Sequence, residues 1–432
     1  MEKTSCKLLI TVLALCALIQ CRQEINSPSP DVPTHSNSLV ITAKEAQKLA
    51  LAGLSTPSDA TSRTSAAATG TTKRIKSIRT LNDDEGNPLM HIVHFESDAR
   101  PDAGFVIIAG DKRVIPILAK GDSGTFNPDG GNPGPRIWIE HAKAEIAAGK
   151  KDVATPEKGV ELMWRRLAEG NSLTGSRANN EDPIDPTNCP PDTYYSSGTL
   201  INSHWGSSKA YSMYCPSKNC DGCPTANAGC GAVAIAQVWN ASCNQKPATY
   251  SIAPGPVTNY NFPLNNSIST ANCTSANTAD QQIANMIRVA GMYAGSDYSN
   301  FGCNTVTWRE NIKSAFQAAG YSNAGKRSAF GNVYNDVRTE LTSGRPVITD
   351  GTNQFLGFNN WHIWVIAGIQ ETILHGVVEL YGAATCMAWT YNLYYLNWGW
   401  KGSDDNWYAL GNFVGNGQNY DTALNVTYGM RK

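Results

Sequence analysis

Ala228-Gly229-Cys230-Gly231-Ala232-Val233-Ala234-Ile235-Ala236-Gln237-Val238-Trp239 decides how this chain is read. Small residues flank a cysteine, and the apolar run behind it is too short to span a membrane and dense enough to be a buried helix. Cys230 then stands on the first turn. A helix N-terminus carries unpaired N–H groups and about half a positive charge, which favours thiolate and lowers a cysteine below its free pKa of about 8.5. The same N–H groups can hold an oxyanion formed on an attacked carbonyl. A nucleophile is one reading of Cys230; a buried small hydrophobe or half of a disulfide is the other.

A thiolate hydrolase needs an imidazole to carry the proton and a group to orient the ring. Working outward, the candidates after residue 181 are His204, His362 and His375. His204 precedes the nucleophile, and His375 lies in a turn-like Leu-His-Gly context. His362 opens an apolar strand, Trp361-His362-Ile363-Trp364-Val365-Ile366, where a rigid element can fix it. Further on stands Leu396-Asn397-Trp398-Gly399-Trp400-Lys401-Gly402. The Asn397 carboxamide can accept from an imidazole nitrogen without adding charge, and Trp398 can shield that bond from water. The order is Cys230, His362, Asn397, and positions 230 and 362 have the spacing of papain-like proteases, about 130 to 150 residues.

Composition bounds the rest. The 432 residues suffice for two domains, and with a net charge of −1 nothing in the charge balance points to nucleic acid or to an anionic membrane surface held by a basic patch. Residues 1–180 hold 22 Lys or Arg and 20 Asp or Glu, leaving 13 and 16 for the longer remainder, which carries nine of the 11 tryptophans. Two unlike modules therefore meet near residue 180. Lys3, Lys7 and the apolar Leu8 to Leu18 read as an export signal over residues 1–21. Its end, Leu18-Ile19-Gln20-Cys21, leaves lipidation of Cys21 open against simple cleavage, so the protein is expected outside the cell or lipid-anchored on the bacterial envelope. A Pro- and Ser-rich tether follows over 22–37.

From Thr42-Ala43-Lys44-Glu45, a capping box, the chain predicts a helix stopped by Gly53 and then a loop over 55–72. Strands are expected at Leu89–Phe95, Gly104–Ala109 and Val114–Leu118, and helices at Ile137–Ala148 and Glu157–Glu169. Gly170–Pro191 is exposed and easily nicked, with Arg177 its only basic residue. Later capping boxes at Thr278-Ala279-Asp280-Gln281 and Thr307-Trp308-Arg309-Glu310 start helices. Strands are expected at Pro346–Thr349, Trp361–Ile369, Val377–Tyr381, Tyr391–Trp398 and Asn406–Leu410. Helices followed by strands predict an α+β module with a helical part and an antiparallel sheet part.

The three segments around Cys230, His362 and Asn397-Trp398-Gly399-Trp400 resemble the streptopain-type cysteine peptidases, bacterial enzymes of papain-like fold. Leu200–Pro216 is similar to that family's entry into the catalytic domain, and residues 40–150, including Gly104-Phe105-Val106-Ile107-Ile108-Ala109-Gly110-Asp111-Lys112-Arg113, to its inhibitory prodomain. The resemblance implies Cys230 as nucleophile, His362 as general base and then acid, Asn397 as orienting group and Trp398 as shield. It implies a secreted zymogen, with an α+β prodomain over 38–170, an activation linker over 171–190 and the peptidase over 191–432. Protein or peptide substrates are expected, with a hydrophobic residue just upstream of the cleaved one, and the prodomain serves as intramolecular inhibitor. A virulence factor, monomeric and without cofactor, metal or nucleic-acid partner, is the corresponding expectation. Two positions depart from the family. Ser207 stands where a Gln donates to the oxyanion, a donor whose loss costs roughly 100-fold to 1000-fold, and Trp361 precedes the histidine where glycines are common. A catalytically weak homologue acting as a binding protein is the alternative.

Cys215-x4-Cys220-x2-Cys223 has the spacing of an iron–sulfur ligand set, and a zinc knuckle or electron carrier is conceivable. Export and cysteine parity favour disulfides: setting Cys230 aside, Cys189, Cys215, Cys220, Cys223, Cys243, Cys273, Cys303 and Cys386 suffice for four bridges.

Overall fold

Thr42 and Glu45 close the expected capping box. The Thr42 N–H donates to Glu45 Oε2 at 2.8 Å and the Glu45 N–H returns to Thr42 Oγ1 at 3.3 Å, opening α1 (Ala43–Leu54). The structure, a computed structural model, describes residues 38–54, 72–171, 173, 189–243, 260–353, 360–411, 413 and 424–431. The export signal, the tether, nearly all of the 55–72 loop and most of the activation linker lie outside them.

After α1 come β1 (Arg74–Asn82), β2 (Pro88–Glu96), β3 (Phe105–Ala109) and β4 (Ile117–Gly121), an antiparallel meander. All five residues of β3 are buried, because Ala46 and Ala50 of α1 are small enough to pack on this sheet. β4 starts later than the expected Val114, since Pro116 has no N–H for the ladder. Then follow α2 (Pro133–Asp152), capped by Asn132 Oδ1 accepting from the Gly134 N–H at 3.1 Å, and α3 (Lys158–Ala168).

The second half begins with β5 (Thr193–Ser196) and a small hairpin of β6 (Ser217–Cys220) and β7 (Cys223–Thr225). Three helices build its helical part: α4 (Cys230–Cys243), α5 (Thr278–Tyr293) and α6 (Ile312–Ala318). Their caps differ from expectation. Asn277 caps α5, accepting from the Ala279 N–H at 2.9 Å, and Thr307 caps nothing, its hydroxyl bonding Ser296 Oγ at 2.7 Å. The sheet part consists of β8 (Asn323–Ala329), β9 (Val347–Asn353), β10 (Asn360–Leu380), β11 (Ala383–Asn397), β12 (Asn406–Tyr408) and β13 (Asn425–Arg431), with α7 (Tyr334–Thr342) between β8 and β9.

Two expected strands, Trp361–Ile369 and Val377–Tyr381, are one. β10 runs unbroken through His375, whose N–H donates to Asp192 Oδ1 at 2.8 Å, so the expected turn there does not exist. The chain reverses instead at Tyr381 and Gly382, both with positive φ (53° and 79°).

The two halves share one sheet, ordered β1-β2-β3-β4-β12-β11-β10-β9-β13-β8, with β5 added to β10. The junction is the antiparallel pairing of Lys120 with Trp407 and Ala119 with Tyr408. Aromatic side chains seal it: Trp138 of α2 packs edge-on to Tyr408 at 4.9 Å and donates its indole N–H to the Ala409 carbonyl at 2.9 Å.

Disulfides join Cys189–Cys386, Cys220–Cys303 and Cys223–Cys273. The parity expectation of four bridges is corrected: Cys215 is a buried free thiol beside the Tyr298 hydroxyl, and burial pushes it up to about 12. Cys220 and Cys223 are both spent on bridges, so the iron–sulfur spacing does not gather a ligand set. The Cys243 side chain lies outside the described residues. No helix among the described residues is long and apolar enough to cross a membrane.

Candidate active site

Cys230 is the first residue of α4, as its sequence context predicts. Gly229 before it has φ +86°, and a Cβ there would lie 2.8 Å from the Thr305 carbonyl oxygen. A Cβ on Gly231 would lie 2.5 Å from Thr307 Cβ. The glycines on either side of Cys230 thus let the segment 305–307 close against the head of the helix. From the other side, the Ser207 carbonyl accepts from the Ala228 N–H at 2.7 Å, bringing Ser207 alongside the approach to the cysteine.

The Cys230 sulfur faces the backbone N–H of Ile363, the residue after His362 on β10, together with the N–H groups of Gly231 and Cys230 itself. The thiol is nevertheless pushed up, against the expectation of a lowered value. Protein packed around the sulfur disfavours the thiolate more than those three N–H groups favour it, although the residue keeps part of its surface exposed. His362 is buried and moved the other way, to about 4, because burial disfavours the imidazolium. Both groups are therefore held uncharged.

Asn397 is fully buried, but its carboxamide does not reach the imidazole as expected. Its Oδ1 accepts from Gln237 Nε2 at 3.0 Å and from the Gly399 N–H at 3.1 Å, while Nδ2 donates to the Ser203 carbonyl at 2.7 Å. The ring of His362 is bonded instead by the main-chain carbonyl of Trp398, 2.8 Å from Nε2. A carbonyl only accepts, so Nε2 carries the proton and Nδ1 holds the lone pair. The Trp398 ring, expected as a shield, lies 5.1 Å from the ring of Trp364, which itself stacks on His362 at 6.0 Å and 18°.

Three contributors escaped the sequence reading. Gln237 was visible as the one long polar side chain in an apolar helix, a residue that must find partners when buried. Asp405 is buried and accepts from the Trp398 N–H at 2.8 Å and from His204 Nδ1 at 3.3 Å. His204 was set aside for its position in sequence, but the hydrogen bond it donates to Asp405 raises its pKa, and it packs beside Gly402, where a Cβ would lie 3.0 Å from its Nδ1.

The N-terminal half touches this site directly. Gly134 at the start of α2 lies so close to Trp398 that a Cβ would be 2.1 Å from its Cε3. Asn132 donates to the Ser403 carbonyl and to Asp404 Oδ2, each at 3.2 Å, and His141 Nε2 donates at 3.0 Å to the carbonyl of Thr352 on β9, whose partner on β10 is Trp361, the residue before His362.

Residues 205–408 match the Peptidase C10 family and residues 38–146 match the Spi protease inhibitor. Nothing among the curated proteins matches. Among solved structures, the chain is similar to a fragment of prointerpain A from Prevotella intermedia, a mutant form, at 16% identity and TM-score 0.50, covering 82% of this chain and 99% of that one. It also resembles the active wild-type interpain A cysteine protease of the same organism, at 18% identity and TM-score 0.36 over 55% of this chain and 96% of that one. The first supports the fold seen here, an inhibitor-type module continuous with a papain-like α+β peptidase. With its C10 peptidase domain placed behind a Spi-type inhibitor domain, the chain belongs to the streptopain-type cysteine peptidases and is the zymogen of such an enzyme.

Proposed function

We propose that the mature enzyme is an exported endopeptidase that cleaves peptide bonds in proteins through Cys230 and His362. The observation that carries this reading is the bond that His362 Nε2 donates to the Trp398 carbonyl, which leaves Nδ1 of His362 as proton acceptor one residue along β10 from the N–H that the Cys230 sulfur faces. Nδ1 takes the thiol proton and the thiolate adds to the scissile carbonyl. The oxyanion is held by the Cys230 N–H and by Ser207. The imidazolium then returns the proton to the leaving amine, freeing the new N-terminus and leaving a thioester on Cys230. Water, deprotonated by Nδ1, cleaves the thioester and regenerates the thiol. Asn397 acts on the ring only through the Trp398–Gly399 peptide.

Release of the N-terminal half readmits water, which lowers the thiol and raises the imidazole toward a thiolate–imidazolium pair. The linker around Arg177 is the expected cut, and a hydrophobic residue just upstream of the cleaved one is the expected substrate preference. Lys3, Lys7 and Leu8 to Leu18 support export. The test is hydrolysis of denatured casein by the full-length chain after limited opening of the linker. Wild type should be active and labelled by a covalent cysteine-protease probe, and Cys230→Ala should show neither property. Ser207→Gln should be faster, by up to about 100-fold. Casein hydrolysis that survives in Cys230→Ala would sink the reading.

A further inference from the structure

We propose that Gln237 is a positioning residue for His362, acting through Asn397 and the Trp398–Gly399 peptide. The inference rests on reading Cys230 and His362 as the reacting pair.

Gln237 is fully buried on α4, seven residues after Cys230, so two helical turns place both on the same side of one rigid element. Its orientation is fixed by a backbone donor. Oε1 faces the Trp205 N–H at 3.4 Å and the Ser203 hydroxyl at 3.1 Å, so Nε2 must face Asn397 Oδ1, at 3.0 Å. Asn397 is fixed in the same way. Its Oδ1 faces the Gly399 N–H and its Nδ2 the Ser203 carbonyl. The Gly399 N–H belongs to the same peptide plane as the Trp398 carbonyl that holds His362. Holding one edge of that plane aims the other. Asp405 grips the preceding N–H, that of Trp398, at 2.8 Å. The helix that presents the sulfur therefore also sets the carbonyl that presents the imidazole, and the two reacting groups share one reference frame. A buried amide engaged at both ends would satisfy itself equally well with any two partners; the meaning here lies in which peptide it holds.

The experiment compares Gln237→Met and Gln237→Glu with wild type, as full-length chains with the linker opened, reading kcat, KM and the pH profile of Cys230 alkylation by iodoacetamide. A misplacement of about 1 Å costs on the order of 100-fold, so Gln237→Met should lose about 10-fold to 100-fold in kcat with KM little changed. Its alkylation profile should move toward that of a free thiol. Gln237→Glu sets an ionised carboxylate against Asn397 Oδ1, but a buried carboxyl titrates high, and its neutral form again donates to that oxygen. Its kcat relative to wild type should therefore recover as the pH is lowered, within one sample whose fold is unchanged. Asn397→Ala combined with Gln237→Met should be no slower than the worse single variant.

Wild-type kcat and alkylation profile in a folded Gln237→Met overturn the proposal. So does a Gln237→Glu deficit that stays constant with pH, which also decides the matter if the Met variant does not fold. Cys230→Ala separates the two claims, since activity surviving there removes the assignment of the reacting pair.

Discussion

Gly134 shows how a single missing methyl group holds the zymogen together. Its α-carbon rests against the Trp398 ring, at a distance that leaves a Cβ only 2.1 Å from Cε3. Neither the helix start, pinned by Asn132, nor Trp398, pinned at both its N–H and its indole, has freedom to give way. Gly134→Ala should therefore weaken the grip of the N-terminal half by about 1 to 3 kcal/mol, and uncut full-length chain carrying it should hydrolyse casein faster than uncut wild type. An unchanged basal rate would show that this contact does not contribute to latency. At this scale the sequence is legible for side chains and blind to main chain. Cys230, His362 and the Asn397-Trp398 pair could all be picked out because each brings a distinctive group. Nothing in the letters distinguishes a carboxamide that meets the imidazole from one that braces the neighbouring carbonyl, since every residue has a carbonyl.

Elements were legible where their periodicity was regular. α1, α2, α3 and α5 follow from apolar spacing, whereas β1 was missed because Ile75, Ile78 and Leu81 recur every third residue; the bulge between Ile75 and Ser77 brings Ile75 and Ile78 onto one face and leaves Leu81 on the other. The β10–β11 hairpin was divided by Gly376, read as a break, although there its lack of a side chain lets Leu162 of α3 approach, with Cδ2 3.1 Å from a would-be Cβ. Gly159 of α3 lies against Trp389 in the same manner, 2.3 Å from a would-be Cβ to Cδ1. The far half of this hairpin is thus a seat for α3. Cys189–Cys386 anchors the segment leading into β5 to the hairpin across 197 residues of sequence. Cys386→Ser should lower stability by about 2 to 5 kcal/mol, measured by urea denaturation, while leaving the Cys220–Cys303 and Cys223–Cys273 bridges intact by peptide mapping. A loss below about 0.5 kcal/mol would mean that the hairpin seat alone positions β5.

For the whole molecule, the buried histidines set a direction with pH. Burial lowers His91 and His94 in the N-terminal half and His362 in the peptidase half, the last to about 4. A histidine lowered on folding leaves stability intact above its unfolded pKa of about 6.5 and costs stability as pH falls from there toward the folded value. For His362 that loss is about 3 kcal/mol once pH reaches the folded value. His204 works in the opposite sense. Its hydrogen bond to Asp405 raises it, so its contribution is full below about 6.5 and fades as pH rises through the folded value. With three lowered against one raised, the thermal midpoint of the zymogen should fall between pH 7 and pH 4.5, and His91→Gln should flatten that slope; a midpoint that rises on acidification contradicts the assignment. Sequence composition sets two halves apart but could not reveal that they share a sheet, because the rungs between Lys120 and Trp407 link positions far apart in the chain.

That shared sheet has a consequence for the liberated enzyme. When β4 departs, Trp407 and Tyr408 lose their neighbouring strand, and a short row of unsatisfied main-chain donors and acceptors is laid open close to the Trp398 loop. The cut that frees the catalyst also uncovers a vacant berth for an extended polypeptide, and whatever occupies it first, the severed propeptide included, competes for the same backbone rungs.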